Sequence, residues 1–195
     1  MSLGKQSKVL SKKQVTAVSG YLRGRRNGLR NETVFLLSAK AGLRAKEIAE
    51  LKWSMVLESD GAVGDEIHLT NDASKGSNGG RVIPLHPQIK GNLMELHQVQ
   101  SGRGGERVIT SERSDAVGSQ TIINLFQRWY RDLGLQGCSS HSGRRTFITQ
   151  CARQISTVGG SLRDIQYLAG HSSLQTTQRY IEGDSRSRVK VVGLL

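Results

Sequence analysis

The sequence predicts a mainly α domain with a small antiparallel β-sheet, an α+β fold. Three observations predict it. Apolar residues recur at helical spacing along most of the chain, from Val15, Val18 and Leu22 at one end to Leu162, Ile165 and Leu168 at the other. Two prolines in 195 residues leave helices largely uninterrupted. Between residues 56 and 85 the pattern changes to short β-branched runs around a stretch dense in Asn, Ser and Gly, which reads as strand, turn, strand. The length allows one core, with room for an arm. With hydrophobic residues at 36% and aromatics at 5%, that core is mostly aliphatic.

The elements follow in order. Residues 1–10 read as loose and basic. Ser11 caps a helix over Lys12–Arg26, whose outer face carries Lys12, Lys13, Arg23, Arg25 and Arg26. Asn31 opens an apolar helix, Glu32–Ala41, ended by Gly42. A helix over Ala45–Trp53 turns Ile48 and Leu51 to the core. Strands are expected at Glu66–Leu69 and Arg81–Leu85, a helix from Pro87 to about Gln100, a loop at Ser101–Gly105 and a short strand at Arg107–Thr110. From Gln120 the pattern is helical to Leu133, broken by Gly134 and Gly137. Further helices run from His141 to about Ser156, from the Ser161 cap with Asp164 to Gly170, and from Ser172–Gln175 towards Tyr180.

Charge is the strongest bulk signal. Lys plus Arg number 28 against 16 Asp plus Glu, a formal +12. A surplus of that size favours a polyanionic partner, because cations that neutralise phosphates release condensed counterions. Eight of those basic residues, and no acidic one, fall between Met1 and Asn31. The two cysteines, Cys138 and Cys151, make no disulfide framework and no CxxC motif, which suits a reducing cytoplasm. Residues 1–20 lack the apolar run of a secretory signal, and no stretch reaches the ~20 apolar residues of a membrane span.

Cleaving a phosphodiester without a metal sets a specific demand. Negative charge gathers on the nonbridging oxygens, and guanidinium groups, always protonated and able to bind bidentately, suit it. A nucleophile must attack in line and a proton must reach the leaving oxygen. The chain offers that set in four places: Gly42-Leu43-Arg44 with Glu47; Lys75 in a glycine-rich turn before Arg81-Val-Ile-Pro-Leu85; His141-Ser-Gly-Arg144; and Leu168-Ala-Gly-His171, followed nine residues later by Tyr180. Singly each has a plainer reading: a surface ion pair, a solvated turn lysine, a helix cap, a half-buried tyrosine. Cys138, His141 and His171 lack a fourth ligand and are crowded by arginines, which argues against zinc.

Together the segments resemble the tyrosine recombinase (phage integrase) family in order and approximate spacing. Residues 168–180, LAGHSSLQTTQRY, resemble its "LGH…T…Y" box; His141-Ser-Gly-Arg144-Arg145-Thr-Phe is similar to its "HxLRRTF" box, with Gly143 where Leu is usual; Gly42-Leu-Arg44-Ala-Lys-Glu47 is similar to its first arginine box. The resemblance implies the catalytic-domain fold of that family and strand exchange on double-stranded DNA, for integration, excision or inversion. Tyr180 would form a 3′-phosphotyrosyl link. Arg44 and Arg144 would clamp the phosphate, Lys75 would protonate the leaving 5′-oxygen, and His141 would assist proton transfer. His171 would brace the pocket, Glu47 would anchor the arginines, and Arg145 would join the basic arm in contacting DNA. No metal or other cofactor is implied.

The same resemblance suggests a bacterial or phage-encoded, nucleoid-associated protein that self-associates to a dimer or tetramer on DNA. It divides the chain into a basic arm and first helix (1–30), a catalytic domain (31–182) and a tail (183–195); the apolar end of that tail reads equally as packing on its own core, and the resemblance suggests packing on a neighbouring protomer. Thirty residues are too few for the family's separate N-terminal clamp domain. The chain is therefore similar to small single-domain forms such as the fimbrial-switch invertases, with an accessory DNA-binding protein to supply what the clamp would. A type IB topoisomerase would use the same chemistry, and a non-catalytic DNA-binding regulator could share the fold.

Overall fold

The structure is a computed structural model; it describes residues 7–74, 80–101, 105–180 and 193. Eight helices and one two-stranded sheet are present among those residues: α1 (Lys12–Arg23), α2 (Gly28–Ala41), α3 (Ala45–Glu50), β1 (Glu66–Leu69), β2 (Arg81–Pro84), α4 (Pro87–Gln100), α5 (Ser119–Asp132), α6 (Ser142–Gln154), α7 (Leu162–Ala169) and α8 (Leu174–Gln178). The mainly α expectation holds, and the sheet lies within the expected span.

α2 is the central element. Val34, Phe35, Leu36 and Leu37 are all buried, so it is covered on every side, by α1, α4 and α6 among others. A helix apolar all round belongs in a core. The main cluster adds Val18 and Leu22 of α1, Ile48 of α3, Ile89 and Leu93 of α4, and Ile122 and Phe126 of α5. Ile148, Ile165 and Ala169 form a smaller cluster joining α6 to α7, against which Tyr180 packs.

Several boundaries move. Residues 7–10 are not loose: Leu10 is buried, its N–H donates to Thr146 Oγ1 at 2.8 Å, and Lys8 N–H donates to the Gly137 carbonyl at 3.0 Å. This strand-like entry is pinned across α6 before α1 begins. α1 stops at Arg23, because Gly24 ends it and Asn27 adopts φ 58°, turning the chain directly into α2. Asn31 is therefore buried inside α2 rather than opening it, its amide donating to the Arg26 carbonyl at 3.2 Å. α3 ends at Glu50; Leu51 is extended and Trp53–Met55 form a 3-10 turn. The expected strand at Arg107–Thr110 reduces to a single bridge between Lys52 and Arg107. α6 starts at Ser142 with His141 as its cap, and gives way at Ile155–Val158 to a 3-10 turn. The Ser161–Asp164 capping box of α7 is present as expected.

Two glycines set how closely elements approach. Gly42 ends α2 at φ 70°, and a Cβ there would run into the Phe147 ring of α6. Gly143 lies in the α2–α6 contact; a Cβ would fall 2.6 Å from Ser38 Oγ. A leucine at 143 has no space, so the glycine is a packing requirement of this pair of helices.

Candidate active site

The site is built where α3, β2, α6 and the α7–α8 corner meet. Glu47 is at its base, with a side chain 1% exposed. It sits in the first turn of α3, where a carboxylate favours the helix N-terminus, and it accepts the Arg44 backbone N–H at 2.8 Å. Its oxygens also accept Arg44 Nη1 at 2.7 Å, and Arg81 Nη1 and Nη2 at 2.9 and 3.1 Å. Burial acts to raise the Glu47 carboxyl, but Arg81 and Arg44 outweigh it and hold it below the ordinary carboxylate value.

Arg81 is the functional-site residue that the sequence reading did not single out. It lies in β2 in phase with Ile83, so it points inwards, where an apolar residue would be usual. Besides its fork onto Glu47 it donates Nε to the Leu168 carbonyl at 2.9 Å, binding the hairpin to the end of α7. Gly170 fits against it at φ 57°, and a Cβ there would lie 2.7 Å from Arg81 Nη1. An obligatorily charged residue in the inward register of a strand is the signal that finds it.

Arg44 and Arg144 converge on the same corner from different helices. Arg44 Nη2 donates to the Gly170 carbonyl at 3.0 Å. Arg144 is buried, donating to the Gly42 carbonyl at 2.5 Å and to the Ala169 carbonyl. A guanidinium carries more N–H donors than these contacts occupy. Burial and the neighbouring Arg44 lower Arg144 to about 9, against the pull of Glu47, so it stays cationic at neutral pH.

His171 follows Gly170, the left-handed residue that closes α7. Its Nδ1 shares a 2.9 Å hydrogen bond with the buried Thr177 hydroxyl, and its backbone is tied to Gln166 in both directions. Burial, then Arg144, Arg44 and Arg81, push it down to about 4; at neutral pH it is an uncharged imidazole. Its ring stacks on Tyr180, with centroids 5.7 Å apart and 22° between planes. Tyr180, Arg144, Arg145, His141, Thr176, Arg179 and Ser7 line one open cavity of about 290 Å³.

The structure thus brings together Arg44, Glu47, His141, Arg144, Arg145, His171 and Tyr180 from three of the four separated stretches. Lys75 and the tail 183–195 lie outside the described residues. The basic face of α1 divides. Arg23 bridges Glu32 and Glu95, and Arg26 bridges Glu112, while Arg25 lies over the Tyr21 ring. Lys12 borders an apolar groove between α1 and α6. For Arg23 and Arg26 an expected DNA contact would have to break ion pairs already made. No helix among the described residues is long and apolar enough to cross a membrane.

The mainly α fold with its small hairpin, and the arginines, histidines and tyrosine gathered at one corner of it, point to one class of protein. The chain belongs to the phage integrase family, whose sequence profile matches residues 8–186. It is 25% identical over 173 residues to the tyrosine recombinase XerD of Lacticaseibacillus casei, covering 84% of this chain and 54% of that protein. It is 26% identical over 153 residues to XerA of Thermococcus kodakarensis, covering 77% and 50%. This chain spans about half the length of these relatives. The fold is that of the crystallised XerA recombinase, at TM-score 0.76 and 20% identity over 100% of this chain and 65% of that one. It is also that of the Tn1549 transposon integrase in complex with a circular intermediate DNA, at 0.74 and 15% over 97% and 66%.

Proposed function

We propose that this chain is a site-specific DNA recombinase, cutting and rejoining strands through Tyr180. The observation that carries it is a set of guanidinium groups converging beside a tyrosine. Arg44 and Arg144 meet at one corner with Glu47, Tyr180 and a neutral His171. Their main-chain contacts occupy only part of the guanidinium donor set, and planar, permanently charged donors of that kind suit a phosphate anion. Duplex DNA supplies it. The family relatives are named recombinases, and one structural neighbour is held on circular intermediate DNA.

The steps follow from the residues. The Tyr180 oxygen attacks the scissile phosphorus and the bond to the 5′-oxygen breaks, leaving a 3′-phosphotyrosyl link and a 5′-hydroxyl. Arg44 and Arg144 take the nonbridging oxygens. His141, exposed at the cap of α6, receives the phenol proton, and Lys75 gives one to the leaving oxygen. The neutral His171 donates a hydrogen bond to the phosphate without adding charge. The link keeps the energy of the broken bond, so rejoining reverses the path without nucleotide or metal.

In this reading residues 31–182 carry the chemistry, while 1–30 supply a basic arm whose helix is packed on the core. The tail 183–195 joins protomers, and an accessory DNA-binding protein completes the grip. The test is a nicked duplex that traps the covalent state. The wild-type chain forms a protein–DNA adduct and Tyr180→Phe forms none; an adduct persisting in that variant would overturn the assignment. Relaxation of plasmid with no recombinant product would move the reading to a topoisomerase.

A further inference from the structure

Among the described residues the backbone holds Tyr180 lightly. α8, which precedes it, is five residues long, and Tyr180 N–H makes a single-turn bond to the Thr177 carbonyl at 3.0 Å. Side chains set its ring: it packs on the Ile148–Ile165–Ala169 cluster and stacks on His171. It also meets Arg145, whose guanidinium carbon lies 5.7 Å from the ring centroid, within cation–π range.

Three features of Arg145 lack an explanation in local stability. It stands in the first turn of α6 beside Arg144, with no acidic residue in that turn, although the positive end of a helix disfavours cations. Its Nε is buried and finds no acceptor among the described residues, which costs on the order of 1–3 kcal/mol. And it lines the same cavity as Arg144 and Tyr180. One residue apart on a helix, Arg144 and Arg145 diverge: the first reaches the carbonyls of Gly42 and Ala169, the second reaches the tyrosine ring.

We infer that Arg145 is a positioning residue for the nucleophile, holding the Tyr180 ring with His171 so that its oxygen meets the phosphorus in line. The inference rests on Tyr180 being the nucleophile. Its rationale is geometric: a misplacement of about 1 Å at a reacting atom costs up to ~100-fold in rate. Apolar packing on the Ile148 cluster buries the ring without fixing its angle, so a ring at the end of a short helix is open to such misplacement when one of the two planar groups on it is removed.

The experiment measures adduct formation on nicked duplex under single-turnover conditions at saturating DNA. Arg145→Ala and Arg145→Gln are expected to form the Tyr180 adduct ~10–100-fold more slowly, with Arg145→Lys between them and wild type. DNA affinity and its salt dependence stay at wild-type values, whereas a lost phosphate contact would lower the salt slope by about one. A substrate whose scissile phosphate carries methyl in place of a nonbridging oxygen separates the roles further. It needs less positive charge, so it relieves Arg144→Ala and leaves Arg145→Ala slow. Rates within about twofold of wild type, or a slow rate relieved by the methyl substrate, overturn the inference. An adduct in Tyr180→Phe overturns the underlying assignment instead. Should the alanine variant fail to fold, the glutamine and lysine variants carry the same comparison.

Discussion

Around α1 each arginine has its own carboxylates: Arg23 reaches Glu32 and Glu95, and Arg26 reaches Glu112, with side chains 40% and 81% exposed. Around α3 Arg44 and Arg81 both bond Glu47, with Arg144 close by, and the Glu47–Arg81 pair is 1% and 2% exposed. The outer arginines are neutralised in water, where pairing contributes little and salt screens it. The inner ones are held mainly by main-chain carbonyls of Gly42, Leu168, Ala169 and Gly170, which orient a guanidinium without cancelling its charge. The difference marks the site: outside, each cation meets a carboxylate in water, whereas inside, main-chain carbonyls hold Arg44 and Arg144 at the corner shared with His171.

Neutralising the shared carboxylate breaks that arrangement most severely. Glu47→Gln takes a bonded carboxylate charge from buried arginines, and stability is expected to fall by about 3–5 kcal/mol. Denaturant unfolding measures it. Added duplex DNA should recover part of the loss by supplying negative charge to the same corner. The outer counterpart, Glu112→Gln, should leave the unfolding midpoint unmoved, with or without DNA. Equal effects at the two positions would mean that the inner cluster is merely another ion pair.

A subtler change tests whether carbonyl geometry, rather than charge, sets the inner arginines. Gly170→Ala keeps every charge but places a Cβ 2.7 Å from Arg81 Nη1 at a positive φ. The strain is expected to cost about 1–3 kcal/mol and to slow adduct formation, since the Gly170 carbonyl also holds Arg44. Gly61→Ala, at φ 84° in open space, is the control: it carries the backbone strain and should leave adduct formation unchanged. A Gly170→Ala variant as active as Gly61→Ala would separate the corner's geometry from its chemistry.

The same contrast explains what could be read from the sequence. Helical periodicity located the helices, because α1, α5 and α7 each bury a regular stripe, while α2 announced itself as a continuous apolar run. It misplaced their ends where tertiary contacts decide them: at Asn27, whose φ 58° lets α2 begin at Gly28, four residues before the expected Glu32, and at Arg107, where a lone bridge stands in for a strand. Arg44, His141, Arg144, His171 and Tyr180 were legible as motif residues. Arg81 was not, because its part depends on a strand register that turns a charge inwards to meet Glu47 from a helix far away in sequence. The basic run of residues 5–30 looked uniform, since the sequence does not show that Glu95 and Glu112 fold back onto Arg23 and Arg26.

The smallest expected effect lies in pH. Burial and the surplus of Arg144, Arg44 and Arg81 push His171 down to about 4, whereas in the unfolded chain it titrates near its ordinary ~6.5. Between those values the unfolded chain holds a proton that the folded chain refuses. The contribution of His171 is therefore full above about pH 6.5 and is lost as pH falls towards 4. His86 is also lowered and Glu47 titrates at the acid end, so a single pH–stability curve mixes several groups. The difference between wild type and His171→Gln removes the shared part and should show a slope confined to that window. Bound duplex DNA, by offsetting the surplus cations, should raise the lower edge and narrow it. A difference curve that is flat from pH 4 to 6.5 would mean that the inner arginines exert no net field on His171, and that their charge is already balanced within the fold as it is around α1.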